Sequence, residues 1–95
     1  MRILAQAVHY PKPEHRADLI AAMGRMRAAS AGVAGLEEIG GFEDVEGDRL
    51  VAISVWSSPE AMQAGMAVLG AAIADVPFDD WERRKGTLQA YPQVA

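Results

Sequence analysis

Residues 50–66, Leu-Val-Ala-Ile-Ser-Val-Trp-Ser-Ser-Pro-Glu-Ala-Met-Gln-Ala-Gly-Met, decide the fold. An uncharged, β-branched run ends in Trp56 and passes through Ser57-Ser58-Pro59-Glu60 into a helix. Alternation along an extended chain puts Val51, Ile53 and Val55 on one face and Leu50, Ala52, Ser54 and Trp56 on the other. Neither face reads as solvated, so the strand is expected to be covered on both sides. The junction has the chemistry of helix initiation. Ser58 is the expected N-cap, Pro59 takes the first helical position, where a missing N–H is no loss, and Glu60 meets the positive end of the helix dipole.

Working outward, Glu46-Gly47-Asp48 reads as a tight hairpin turn that joins this strand to a weaker one over residues 36–45. There Gly40-Gly41 suggests a bulge or a close backbone approach. Residues 3–10 read as a strand closed by Pro11-Lys12-Pro13. Residues 14–31 read as a helix with Leu19, Met23, Met26 and Ser30 on one stripe, ended by Gly32 and Gly35. Downstream of the junction the second helix is expected to run to about Val76, with Pro77 interrupting it, one further turn over residues 78–84 and a last strand over residues 86–93.

The order is β-α-β-β-α-β. It predicts an α+β, ferredoxin-like domain in which two helices cover one face of a four-stranded antiparallel sheet. Two helices leave the other face bare, and a second copy packing sheet on sheet is the economical cover, so a homodimer is expected. The second helix presents Ala64, Val68, Ala71 and Ala72 outward, which leaves open either a higher oligomer or a weakly polar surface.

Composition bounds the function. Ninety-five residues allow one domain, 1–95, burying only about 60 to 65% of its unfolded surface. Nine basic against thirteen acidic residues give a net charge of −4, which argues against a nucleic-acid partner. The chain has no cysteine, which excludes disulfides and thiolate chemistry, and its two histidines without a matching carboxylate cluster predict neither metal nor haem. The first apolar run is too short for a signal peptide and none is long enough for a bilayer, so a cytoplasmic protein without membrane attachment is expected.

A strand ending in Trp56, then Ser-Ser-Pro-Glu-Ala-Met opening a helix, then a Gly86-led last strand after Arg83-Arg84-Lys85, resembles the antibiotic-biosynthesis-monooxygenase-type domain of the dimeric α+β barrel superfamily. The resemblance covers essentially the whole chain. It implies cofactor-free oxygenation of a small phenol- or quinol-type molecule, or a haem-degrading branch, or no catalysis. Trp56 stands where such oxygenases often place a pocket tryptophan. Two positions depart from the pattern: Ala52 stands where a hydrogen-bonding Asn is found in some, and Met62 where some carry Tyr. The haem-degrading branch would require a histidine on the second helix, and residues 60–76 contain none.

His9 and His15 are the candidate general bases, being the side chains whose ordinary pKa of about 6.5 suits proton transfer near neutrality. One closes the first strand and the other opens the first helix, so both are expected near one mouth between sheet and helices; ordinary surface roles are the alternative. Met23, Met26, Met62 and Met66 are spaced to line the inner helix faces, as an adaptable aromatic pocket or as plain core. Trp56 and Phe42 are candidates for pocket wall or inter-sheet packing, and Tyr10 and Tyr91 for ligand hydrogen bonds or a dimer rim. Gln6 reads as an edge or interface hydrogen bond, and Arg27 as a snorkelling arginine or an anchor for an acidic group. Two functions stay open: a cofactor-independent monooxygenase of a small aromatic compound, and a non-catalytic, dimeric ligand-binding or stress-associated module.

Overall fold

The computed structural model describes residues 1–95. Strands β1 (Ile3–His9), β2 (Leu36–Glu43), β3 (Leu50–Trp56) and β4 (Thr87–Pro92) form one antiparallel sheet in the order β2-β3-β1-β4. Helices α1 (Arg16–Ala29) and α2 (Pro59–Ala71) pack on one face of it. A short 3₁₀ turn (Pro13–His15) leads into α1, and a four-residue helix α3 (Phe78–Trp81) precedes β4. This is the ferredoxin-like arrangement expected from the order of elements. No helix is long and apolar enough to cross a membrane.

The Trp56 junction forms as its chemistry dictates. Ser58 Oγ accepts a hydrogen bond from the Ala61 N–H at 3.1 Å, satisfying one of the free donors at the start of α2. Trp56 is wholly buried, and its indole N–H donates to Ser54 Oγ at 2.8 Å, so no polar group is stranded in the core. Around it pack Ile3, Ala5 and Leu69, with Val33, Leu36, Ile39 and Met62 at the edges.

Several boundaries differ from the sequence reading. Helix α2 ends at Ala71 rather than near Val76, because the chain turns through residues 72–75 before Pro77. Strand β2 ends at Glu43, where Asp44 takes over the turn: its carboxylate accepts from the Gly47 N–H at 2.8 Å and from Arg49 Nε at 2.7 Å. The hydrogen bond from Arg49 holds the Asp44 carboxyl below its ordinary pKa. The bulge lies at Leu36–Glu38 and not at Gly40-Gly41. What Gly41 provides is room, since a Cβ there would stand 3.0 Å from Met23 Sδ.

Register assigns every side chain to a face. Ile3, Ala5, Ala7 and His9 pair with Trp56, Ser54, Ala52 and Leu50 on the helix-covered face. Leu4, Gln6 and Val8 pair with Val55, Ile53 and Val51 on the other, where Val51, Ile53 and Val55 stay half-buried and Phe42 is 58% exposed.

Glycines on the two helices give a prediction of opposite signs. A Cβ at Gly65 would overlap the Trp56 ring, whereas one at Gly24 meets nothing within 4 Å. Gly24→Ala should stabilise by about 0.5–1 kcal/mol through helix propensity. Gly65→Ala should lose that gain and cost about 1–3 kcal/mol from overpacking. Urea denaturation of both variants measures the two signs.

Candidate functional site

The helix-covered face of β1 and β3 is large at one end and small in the middle. Trp56 and Ile3 fill the first row, while Ala7 and Ala52, two rows along, leave a hollow beneath the helices. Methionines and Leu19 from α1 and Met66 from α2 roof it, Leu88 of β4 borders it, and the segment from Phe78 to Gly86 rims its open end. The result is an open cavity of about 700 Å³, a size suited to a small organic ligand. A smaller hollow of about 370 Å³ adjoins it between α1 and β2, sharing Met23, Met26 and Ala52 and bordered by Arg27.

His9 ends the β1 row and lines the large cavity. Its Nδ1 lies 3.1 Å from Glu82 Oε2, and its ring stacks on Phe78 with centroids 5.6 Å apart. The other carboxylate oxygen of Glu82 accepts the Tyr10 N–H at 2.8 Å. Glu82 is nearly buried, with 6% of its side chain exposed against 18% for His9. Gly86 is required beside this pair, because a Cβ there would stand 2.7 Å from the Val8 carbonyl oxygen.

This geometry sets the tautomer. A carboxylate only accepts, so a neutral His9 bonded to Glu82 carries its proton on Nδ1 and keeps a lone pair on Nε2. The stacking on Phe78 and the Glu82 contact hold the ring, so the Nε2 lone pair has a fixed direction, the arrangement that general-base chemistry requires. No group of three potential metal-ligating side chains is assembled anywhere in the structure.

The other candidate residues fall elsewhere. His15 bonds Asp18 at 3.0 Å and stacks on Trp81, outside the cavity lining, so the two histidines do not share one mouth. Trp56 and Met62 belong to the packed core, and Phe42, on the opposite sheet face by register, borders the smaller hollow but not the large cavity. Tyr10 instead organises the strap over the site: Arg84 lies over its ring at 4.4 Å, and its carbonyl accepts the Arg83 N–H. Met23, Met26 and Met66 do line the cavity. Glu82 and Phe78 went unseen in the sequence reading; the nearest signal was that a strand-end histidine needs an orienting acceptor.

Filling the hollow separates cavity from core. Ala7→Leu should occupy space above the sheet, abolish binding of aromatic ligands and leave the melting temperature unchanged or raised. Calorimetric titration together with thermal unfolding checks it; intact binding would place the ligand elsewhere.

No protein-family model matches the chain, and no curated protein matches it. Solved structures do. Rv0793 from Mycobacterium tuberculosis superimposes with a TM-score of 0.87 at 16% identity, covering 100% of this chain and 97% of that one. A conserved protein from Methanosarcina mazei Go1 gives 0.86 at 11% identity, covering 99% and 94%. A protein named antibiotic biosynthesis monooxygenase gives 0.80 at 16% identity, covering 98% and 99%. At such identities the likeness bears on architecture and not on activity. The chain therefore has the α+β, ferredoxin-like fold of antibiotic-biosynthesis-monooxygenase-type domains, as the Trp56 junction implied.

Proposed function

We propose that this protein is a cofactor-independent monooxygenase of small phenol- or quinol-type compounds. The observation that carries the reading is the His9–Glu82 pair set into the wall of an otherwise largely apolar cavity. His9 Nε2 takes the phenolic proton. The electron-rich anion then reduces O2 by one electron, and the radical pair joins as a C–O bond to the ring, giving a hydroperoxide. Loss of the hydrogen on that carbon breaks the O–O bond. One oxygen stays as a quinone carbonyl, the other leaves as water with two protons, and all four electrons come from the substrate.

The protein should then consume O2 with an electron-rich phenol or hydroquinone without added metal, flavin or nicotinamide. His9→Ala should lower the rate by about 10²–10⁴, the scale of general-base catalysis. Glu82→Gln should lower it by a comparable factor, because it moves the proton of neutral His9 to Nε2 and removes the lone pair that acts as base, a change visible in ¹⁵N spectra of the ring. His15→Ala should change little. Tight binding of a phenol and quinol panel with no oxygen uptake would instead identify a non-catalytic ligand-binding module, a reading favoured by Ala52 and Met62 standing where some oxygenases of this type carry Asn or Tyr.

We further propose that two copies pair through the bare sheet face. Val51, Ile53 and Val55, with Leu4 and Phe42, form an apolar surface that the chain's own helices do not reach. Sedimentation should give a dimer at micromolar concentration, and Ile53→Asp, which places a charge at the centre of that face, a folded monomer. A wild-type monomer would refute the pairing.

A further inference from the structure

The mouth of the large cavity is cationic although the chain as a whole carries −4. Arg83, Arg84 and Lys85 follow one another on the turn from α3 to β4, and all three line the cavity. Their charges are committed differently. Arg83 donates to the Asp48 carbonyl at 3.0 Å and has the Asp48 carboxylate at 3.9 Å. Arg84 and Lys85 have no carboxylate partner. Of the acidic groups in the lining, Glu82 is occupied by His9 and the Tyr10 N–H, which leaves a single exposed Asp79 against two uncommitted cations.

Arg84 is also held in place. Its guanidinium lies over the Tyr10 ring, 4.4 Å from the centroid, and Tyr10 is itself fixed by the Glu82 bond to its N–H. Stacking uses the face of a guanidinium and leaves its N–H edge free, the edge that bonds a carboxylate in bidentate fashion. Lys85, on a flexible stem beside it, supplies a second charge-assisted bond.

We propose that Arg84 and Lys85 form an anion subsite at the cavity mouth, and that the ligand is an aromatic acid whose ring lies among Met23, Met66 and Leu19 while its carboxylate stays at the rim. The inference rests on the cavity being the ligand site of the proposed function, and it does not depend on turnover. The division of labour is physical: the apolar interior would penalise a buried carboxylate, whereas the solvated rim concentrates anions and orients the ring that follows.

The test is calorimetric titration with 3-hydroxy-2-naphthoate and with its methyl ester, which share the ring and phenol and differ in charge. In the wild type the acid should bind at least ~tenfold more tightly than the ester at low ionic strength, with the ratio shrinking as salt is raised. Arg84→Gln/Lys85→Gln should bring the ratio to about one, and Lys85→Glu, at an exposed and unpaired position, should weaken the acid alone. Thermal unfolding verifies that each variant folds. Equal binding of acid and ester by the wild type, a preference that survives both variants, or no binding of the acid would overturn the proposal. Rim-dependent acid binding without oxygen uptake would remove the oxygenase reading and leave the subsite; oxygen uptake from neutral phenols with no acid preference would do the reverse.

Discussion

Everything on the helix-covered face depends on how side-chain volume is distributed along two paired strands. Trp56 and Ile3, opposite each other in register, anchor both helices at one end of the sheet. Burying an indole of this size contributes about 3–5 kcal/mol by the usual cost of its removal, a large share of what a chain of 95 residues can hold. Ser54 satisfies its N–H, and Gly65 makes room for its ring. With the helices fixed there, the small pair Ala7 and Ala52 cannot be reached by the same packing, and the space above them stays open. Core and cavity are two ends of one gradient.

The fold was legible because each of its signals is local. A capped junction at Ser58-Pro59-Glu60, a turn at Glu46-Gly47-Asp48 and prolines at 11 and 13 punctuate the chain where the elements begin and end, and alternation along residues 50–56 gives the faces correctly. Where a local signal had two physical outlets, only the folded chain chose between them. The Gly40-Gly41 pair is explained by the passage of Met23, while the bulge falls at Leu36–Glu38, where nothing in the sequence marks it. The second helix stops short of Pro77, because alanines tolerate both helix and turn.

The site was legible only in part. His9 could be selected by type and by its place at a strand end, but its partner lies 73 residues away, inside Asp-Asp-Trp-Glu-Arg-Arg-Lys, which reads as a solvated turn. What brings Glu82 inward is backbone pairing: Lys12 N–H donates to the Trp81 carbonyl and Arg83 N–H to that of Tyr10, laying the strap against the end of β1. Long-range pairing of that kind leaves no trace in periodicity. Trp56 was ambiguous for another reason: a large aromatic at a strand end serves a core or a pocket equally well, and only the register with Ile3 decides for the core.

The central claim is that the hollow over Ala7 and Ala52, and no other surface, receives the ligand. Five methionines report on it, because Met23, Met26 and Met66 line the hollow while Met62 sits in the Trp56 core and Met1 is exposed. In a methyl spectrum of protein labelled at methionine, titration with an aromatic ligand should move the resonances of Met23, Met26 and Met66 by ring-current shifts and leave those of Met1 and Met62 in place. Unmoved resonances at all three lining positions under saturating ligand would contradict the account.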